Sequence, residues 1–257
     1  MTAQPYTRLR QVCLATLDLH KHETALSRIL DIQPCHKSKL DEFGLENSLF
    51  AIGGSFIELV APIQENTAVH RFLDRTGGIG GYMAIFDCEN TQIKKETALR
   101  LGIPPVHERE GASADLLQLN PKATGLTLVE FDHHKGGTDR FDAYEWAGDT
   151  WQDYINQTVI EDIAAFTFQC TDPKEKANLW AALTGKAAEH SVTESRIALD
   201  YGDLFFTAKK GANAPECFSG LRIKTTNKSS ILKRATAEGY EVTENGFGIC
   251  GVEFELS

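Results

Sequence analysis

One order of segments, a strand, a helix and then further strands, recurs four times along this chain, and that repetition constrains the fold more than any single motif does. In the first copy an apolar run at 9–19 reads as a buried strand. A helix follows to about residue 30, then a polar irregular stretch at 31–40 with a short strand, then two strands in 45–60 turned at Gly53-Gly54. After a short helical piece at 67–76 the order returns: strand 80–87, helix 90–101 stopped by Gly102, and strands near 115–119 and 126–131. The third copy has strand 163–170, a helix entered through Asp172 and Pro173, a stop at Gly185, and strands 196–200 and 204–208. The fourth has strand 220–225, helix 229–238, and strands around 240–243 and 250–256. Between the second and third copies lies an aromatic run of Phe141, Tyr144, Trp146, Trp151 and Tyr154. A flexible linker would not carry so many rings, so this segment is expected to pack across a surface or cap a cavity. The expected organisation is 1–135 as a first paired domain holding the site, 136–157 as an aromatic connector, and 158–257 as a second, degenerate domain.

Two strands carry an acid where an apolar residue belongs. Glu58 sits within Phe56-Ile57-Glu58-Leu59-Val60, and Glu130 within Leu126-Thr127-Leu128-Val129-Glu130-Phe131. A buried carboxylate is costly unless it is paired, hydrogen-bonded or bound to a cation, so both need partners, and their matching positions suggest one shared polar pocket. Counting from the strand starts, the equivalent positions on the other two strands are Gln11 and Tyr82. Three readings stay open. Two glutamates and a neutral ligand could hold a divalent cation with positions left for substrate; one glutamate could move protons beside a carbonyl; or each could be a structural acid tied to its own arginine or lysine. A tyrosine is a poor ligand unless ionised, so Tyr82 is better suited to donate a hydrogen bond to a substrate oxygen.

The formal charge of −10 argues against a nucleic-acid backbone as main partner, which leaves small molecules or proteins. Six scattered cysteines indicate neither a zinc cage nor a disulfide framework. The opening Met1-Thr2-Ala3-Gln4-Pro5 lacks a leader's apolar core and no stretch reaches membrane-span length, so the chain reads as cytoplasmic with no membrane partner. His133-His134, ahead of Lys135-Gly136-Gly137, read as a solvated pair.

The stretch from Gly53 through Glu58 to Pro62, the helix after it, and the run from Asn120 to Glu130 resemble the vicinal oxygen chelate superfamily, closest to its glyoxalase-like and methylmalonyl-CoA-epimerase-like branch. The likeness is specific over 8–132 and rests on unit order alone over 158–257. It implies an α+β fold of four βαβββ units forming two cup-shaped mixed sheets. It also implies a divalent metal held by Gln11, Glu58 and Glu130, with Tyr82 where metal-dependent members use His, and a lyase or isomerase acting on a small carbonyl- or carboxylate-bearing metabolite, with Glu58, Glu130 and Tyr82 as catalytic residues. In the second half the corresponding positions are read as Asp162, Phe206, Gly220 and Glu255. The rival reading is a metal-free small-molecule binding protein of the bleomycin-resistance type; a third gives the second half a role in a homodimer.

Overall fold

The computed structural model describes residues 5–137 and 139–257; residues 1–4, part of the segment read above as lacking a leader, lie outside them. The first unit is β1 (Thr7–Ala15), α1 (Leu19–Leu30), β2 (Pro34–Leu40), β3 (Leu45–Ile52) and β4 (Ser55–Pro62), followed by α2 (Ala68–Thr76). The second is β5 (Met83–Cys88), α3 (Thr91–Arg100), β6 (Pro105–Glu110), β7 (Ala114–Leu119), the single turn α4 (Pro121–Thr124) and β8 (Leu128–His134). The third is β9 (Ile160–Cys170), α5 (Pro173–Thr184), β10 (Ala188–His190), β11 (Glu194–Ala198) and β12 (Asp203–Ala208). The fourth is β13 (Cys217–Thr225), α6 (Lys228–Ala237), β14 (Gly246–Ile249) and β15 (Val252–Leu256).

Local chemistry sets the helix ends. Asp18 accepts from the Lys21 N–H to open α1, Thr67 does the same for α2 through His70, and Asp172 caps α5 with Pro173 in its first turn. Gly77 and Gly185 close α2 and α5 in the left-handed region. The first expected strand is therefore shorter than 9–19, because Asp18 and Leu19 are taken by the helix. The strand expected at 240–243 is reduced to a single bridge between Val242 and Phe247, so the fourth unit has one strand fewer than the others.

The described residues form two sheets. One is ordered β2-β3-β4-β1-β5-β8-β7-β6 and comes wholly from the first two units; the other, β10-β11-β12-β9-β13-β15-β14, comes from the last two. In the first sheet β1 and β5 meet antiparallel at the middle, while each runs parallel to the acid-bearing strand of its own unit, β4 or β8. Alternation then sorts the side chains. Val12, Leu14, Ile57, Leu59, Ala84, Phe86, Val129 and Phe131 join the core, and Gln11, Cys13, Glu58, Val60, Met83, Ile85, Leu128 and Glu130 line the opposite, concave face. The core is continuous between the sheets: Phe86 meets Phe166 at 6.1 Å and Trp180 at 6.2 Å. No helix among the described residues is long and apolar enough to cross a membrane.

The connector is ordered against the first sheet. Tyr144 stacks on Phe56 at 4.5 Å, Trp151 meets the same ring edge-on at 4.9 Å, and both rings cover the buried guanidinium of Arg10. Arg10 donates to the carbonyls of Gly54 and Arg140, which ties the β3–β4 turn to the connector. Arg140 in turn pairs with Asp162 of β9 at 2.7 Å. Asp162 therefore belongs to this junction and is remote from any second-half site.

Candidate active site

Glu58 and Glu130 open onto one cavity of about 880 Å³ in the concave face of the first sheet. Both are buried, and neither is in an ion pair among the described residues. Each is held by carboxamides. Gln11 Nε2 donates to Glu58 Oε2 at 2.9 Å, and Asn47 Nδ2 donates to Oε1 at 2.7 Å. Gln118 Nε2 donates to Glu130 Oε2 at 2.7 Å. Neutral donors orient a carboxyl without supplying the opposite charge that would fix it as an anion.

The electrostatics follow. Burial pushes the Glu58 carboxyl above its usual range against the opposing pull of its amide donors. Burial raises Glu130 from 4.5 to about 7, the Gln118 amide opposes this, and the charge of Glu58 adds to it. The two acids therefore sense each other across the cavity. Next on the same strand face, Asp132 is wholly buried; burial first and then the charge of Glu130 hold it well above the ordinary carboxyl range. Trp146 Nε1 donates to Asp132 Oδ2 at 2.8 Å, while its Oδ1 has no donor of its own. The charge of each carboxyl bears on the other, so Asp132 and Glu130 titrate as a pair.

The Glu58 arrangement extends outward in both directions. Tyr144 of the connector donates its hydroxyl to Gln11 Oε1 at 2.9 Å, and Asn47 Oδ1 accepts from the backbone and hydroxyl of Ser38. Gln11 is thus committed on both ends of its amide. Cys13, on the same face, is fully buried beside Glu58 and stays a thiol: burial, then the Glu58 charge, raises it far above its ordinary value.

The sheet register corrects one sequence position. Cys13 pairs with Glu58 as Ile85 pairs with Glu130. Two residues before Cys13 is Gln11, so its counterpart two residues before Ile85 is Met83, and Tyr82 is displaced by one. The strand expected from residue 80 begins later because Gly80 and Gly81 donate their N–H groups to Gly251 and Phe218 of the second sheet. Tyr82 nonetheless lines the cavity, its ring against Phe72 at 5.2 Å. Burial raises its hydroxyl above the usual range, so it remains a donor.

The donor set does not fit the divalent cation that the resemblance implies. Gln11 turns its N–H side to Glu58 and its oxygen to Tyr144. The counterpart position offers a thioether, a soft donor unsuited to the hard cations that carboxylates select. Among the described residues no group of three or more His, Cys, Asp or Glu is placed to hold a metal.

The second concavity, about 730 Å³, is lined by Thr167, Gln169, Ser219, Glu253 and Glu255 among others. Its acids are exposed, and Glu255 pairs with Arg222 at 3.2 Å. Phe206, which with Gly220 was expected to be unable to supply a site there, is buried in the core against Phe168 and Trp180. His133 and His134 are likewise not a solvated pair: His134 is buried against Tyr144 and Trp146, and burial lowers it to about 3. Asn47, Gln118 and Asp132 escaped sequence reasoning, whereas Tyr144 and Trp146 were expected to pack across a surface or cap a cavity without their partners being specified. Asn47 had a readable signal, since counting the hairpin from Gly53-Gly54 pairs Leu49 with Glu58 and sets Asn47 one diagonal step away.

No family model matches the chain. Among curated proteins, one relative is the uncharacterized protein YqjC of Bacillus subtilis, 22% identical over 131 residues, which are 50% of this chain and 94% of that protein. Among solved structures, a hypothetical protein from Staphylococcus aureus superposes over 98% of this chain and 99% of its own at a TM-score of 0.70 and 11% identity, which shows a shared fold. A Streptomyces coelicolor methylmalonyl-CoA epimerase variant, in complex with 2-nitronate-propionyl-CoA, covers 51% of this chain and 99% of its own at 19% identity and a TM-score of 0.46. The Mycobacterium tuberculosis methylmalonyl-CoA epimerase covers 49% of this chain and 87% of its own at 23% identity and a TM-score of 0.44.

Proposed function

We propose that this chain, with the fold of the vicinal oxygen chelate superfamily, is a glyoxalase-like enzyme that moves a proton at a carbon beside a carbonyl in a small oxygenated metabolite. The reaction type is that of an isomerase or lyase, and the proton is carried by the chain's own carboxyls. The observation that supports this is the convergence of two buried glutamates, both without a cationic partner among the described residues, on a single cavity. A general base works best with a pKa near the working pH, and Glu130 at about 7 meets that condition.

In this reading a substrate carbonyl enters with its oxygen toward the Tyr82 hydroxyl, which stays protonated and can donate to the oxygen as negative charge develops. One glutamate, ionised, takes the proton from the adjacent carbon. The other, protonated, returns one from its own side. Asn47, Gln11 and Gln118 hold the two carboxyls in place, and the neighbouring Asp132 carboxyl, itself raised by burial, acts electrostatically on Glu130. No divalent cation takes part in this step, because Gln11 Oε1 is engaged by Tyr144 and the counterpart position holds Met83.

Proton exchange with solvent tests the reading directly. Incubation in heavy water with a panel of 2-oxo acids, acyl thioesters and hydroxyketones, followed by NMR, is expected to show deuterium entering the carbon beside a carbonyl for at least one class. Glu58→Gln and Glu130→Gln are each expected to slow that exchange by about 10²-fold or more while the chain stays folded. Saturable ligand binding with no exchange in the unmodified chain would leave the sequestering-protein reading in its place.

A further inference from the structure

We infer that Arg109, at the rim of the acid cavity, binds a carboxylate of the substrate, so that the carbonyl compound handled there is an ionised carboxylic acid. Arg109 stands on β6, the edge strand of the first sheet, opposite Leu116 of β7, and Leu116 stands opposite Asp132 of β8. Partners across strands share a face, so Arg109 looks onto the concave side, one row beyond Glu130, and it lines the cavity. Rows two residues apart are separated by about 7 Å, which an arginine side chain spans. The charge of Arg109 accordingly reaches Glu130. In the other direction along β8, the Leu128 N–H donates to the Tyr82 carbonyl at 3.4 Å. Glu130 thus lies between the tyrosine end of the cavity and the guanidinium.

No carboxylate of the chain holds this guanidinium. Arg109 is exposed and in no ion pair among the described residues; its neighbour Glu108 pairs instead with Lys95 at 2.6 Å. What it meets is the ring of Trp146, whose centroid is 4.9 Å from the guanidinium carbon. That ring is itself fixed, by its N–H on Asp132 Oδ2 at 2.8 Å and by the His134 ring at 5.6 Å. An aromatic face steadies a guanidinium without using its in-plane N–H donors. The second guanidinium lining the cavity, Arg71, is turned to the Asn66 carbonyl at 2.6 Å.

A single planar fork matches the two oxygens of a carboxylate. A more highly charged phosphoryl group would meet the same one fork and the repulsion of Glu42, Glu130 and Glu145, which also line this cavity. The contact bears on the chemistry as well. Arg109 favours the ionised form of Glu130, and a bound carboxylate cancels that pull, which leaves Glu130 the stronger base once substrate is seated. This last step rests on the acid-pair reading, whereas the carboxylate site stands on the cavity, Arg109 and Trp146.

Pyruvate, titrated into the isotope-labelled full chain at constant ionic strength and followed by NMR at the indole N–H groups, tests the site, with pyruvamide as the neutral counterpart. The chain has three tryptophans, and the Trp146 signal is the one missing from Trp146→Phe. Saturable movement of that signal by pyruvate is expected, with pyruvamide weaker by about tenfold or more. Arg109→Ala, a change at an exposed side chain, is expected to weaken pyruvate by a similar factor at an unchanged melting temperature, and Arg71→Ala to weaken it less. Absence of saturation, equal binding of pyruvamide, equal binding by Arg109→Ala, or a larger loss in Arg71→Ala would each overturn the proposal. A chain that binds pyruvate through Arg109 but exchanges no proton keeps the carboxylate site and loses the acid-pair reading; proton exchange in a hydroxyketone without pyruvate binding does the reverse.

Discussion

The hydroxyl of Tyr144 lies 2.9 Å from Gln11 Oε1, and the other end of the same amide donates to Glu58, so one side chain links the connector to a cavity acid. Tyr144→Phe removes the donor and leaves a buried carbonyl oxygen unsatisfied. A loss of about 1–3 kcal/mol is expected in urea unfolding. Proton exchange should fall by less than in Glu58→Gln, because Asn47 still holds the carboxyl. An unfolding midpoint equal to that of the unmodified chain would show that the contact contributes nothing.

The acidity of Glu130 sets a pH dependence with a definite sign. Its carboxyl goes from 4.5 when unfolded to about 7 in the folded chain, so between those values the folded chain holds a proton that the unfolded chain has released. The group's contribution to stability is whole below about pH 4.5, falls as pH rises, and levels off above about pH 7. At about 1.4 kcal/mol per unit, Glu130→Gln should gain on the order of 2–3 kcal/mol relative to the unmodified chain between pH 4.5 and 8. Unfolding free energies measured for both across that range check this, and parallel curves would contradict it.

Gly53 turns β3 into β4 with φ at +57°, and an added Cβ would stand 2.6 Å from the Asp162 carboxyl carbon and 2.7 Å from the Glu161 carbonyl. Gly53→Ala therefore meets both backbone strain and a steric clash where the two sheets touch. A cost of about 1–3 kcal/mol is expected in thermal or urea unfolding. A variant as stable as the parent would mean that the turn relaxes freely.

Cation binding is expected to be weak. Dialysis of the purified chain against cobalt(II) or manganese(II), followed by elemental analysis, should leave well under one ion per chain, because Met83 occupies the counterpart position and Gln11 Oε1 is held by Tyr144. One ion retained per chain, and lost in both Glu58→Gln and Glu130→Gln, would restore the metal-assisted reading.

Much of this was legible from residue order. The fourfold repeat follows from where strands, caps and stops fall, the two sheets are what the family resemblance implies, and both acids announce themselves by interrupting apolar alternation. Counting strand starts from Gly80-Gly81 puts Tyr82 one residue off the register position, because the amides of those glycines go to the carbonyls of Gly251 and Phe218. No local pattern signals that contact. Strand β6 was hidden by Pro104-Pro105 and by a polar sequence whose residues are mostly exposed. The route of the connector, and with it the Tyr144 and Trp146 contacts, depends on packing against Phe56 and His134 and has no signature in spacing. Asp132 lies just past the expected strand 126–131 and has no signal in the sequence, because tertiary cover is what makes it a buried neighbour of Glu130.

The antiparallel meeting of β1 and β5 relates the two halves of the cavity by an approximate half-turn, yet the two acid surroundings have diverged. One carboxyl rests between two amides and the other between an amide and a second carboxyl. A molecule lying across that axis meets unlike proton affinities from its left and its right. Duplication provides the pairing, and a few neighbouring side chains decide which member gives and which receives.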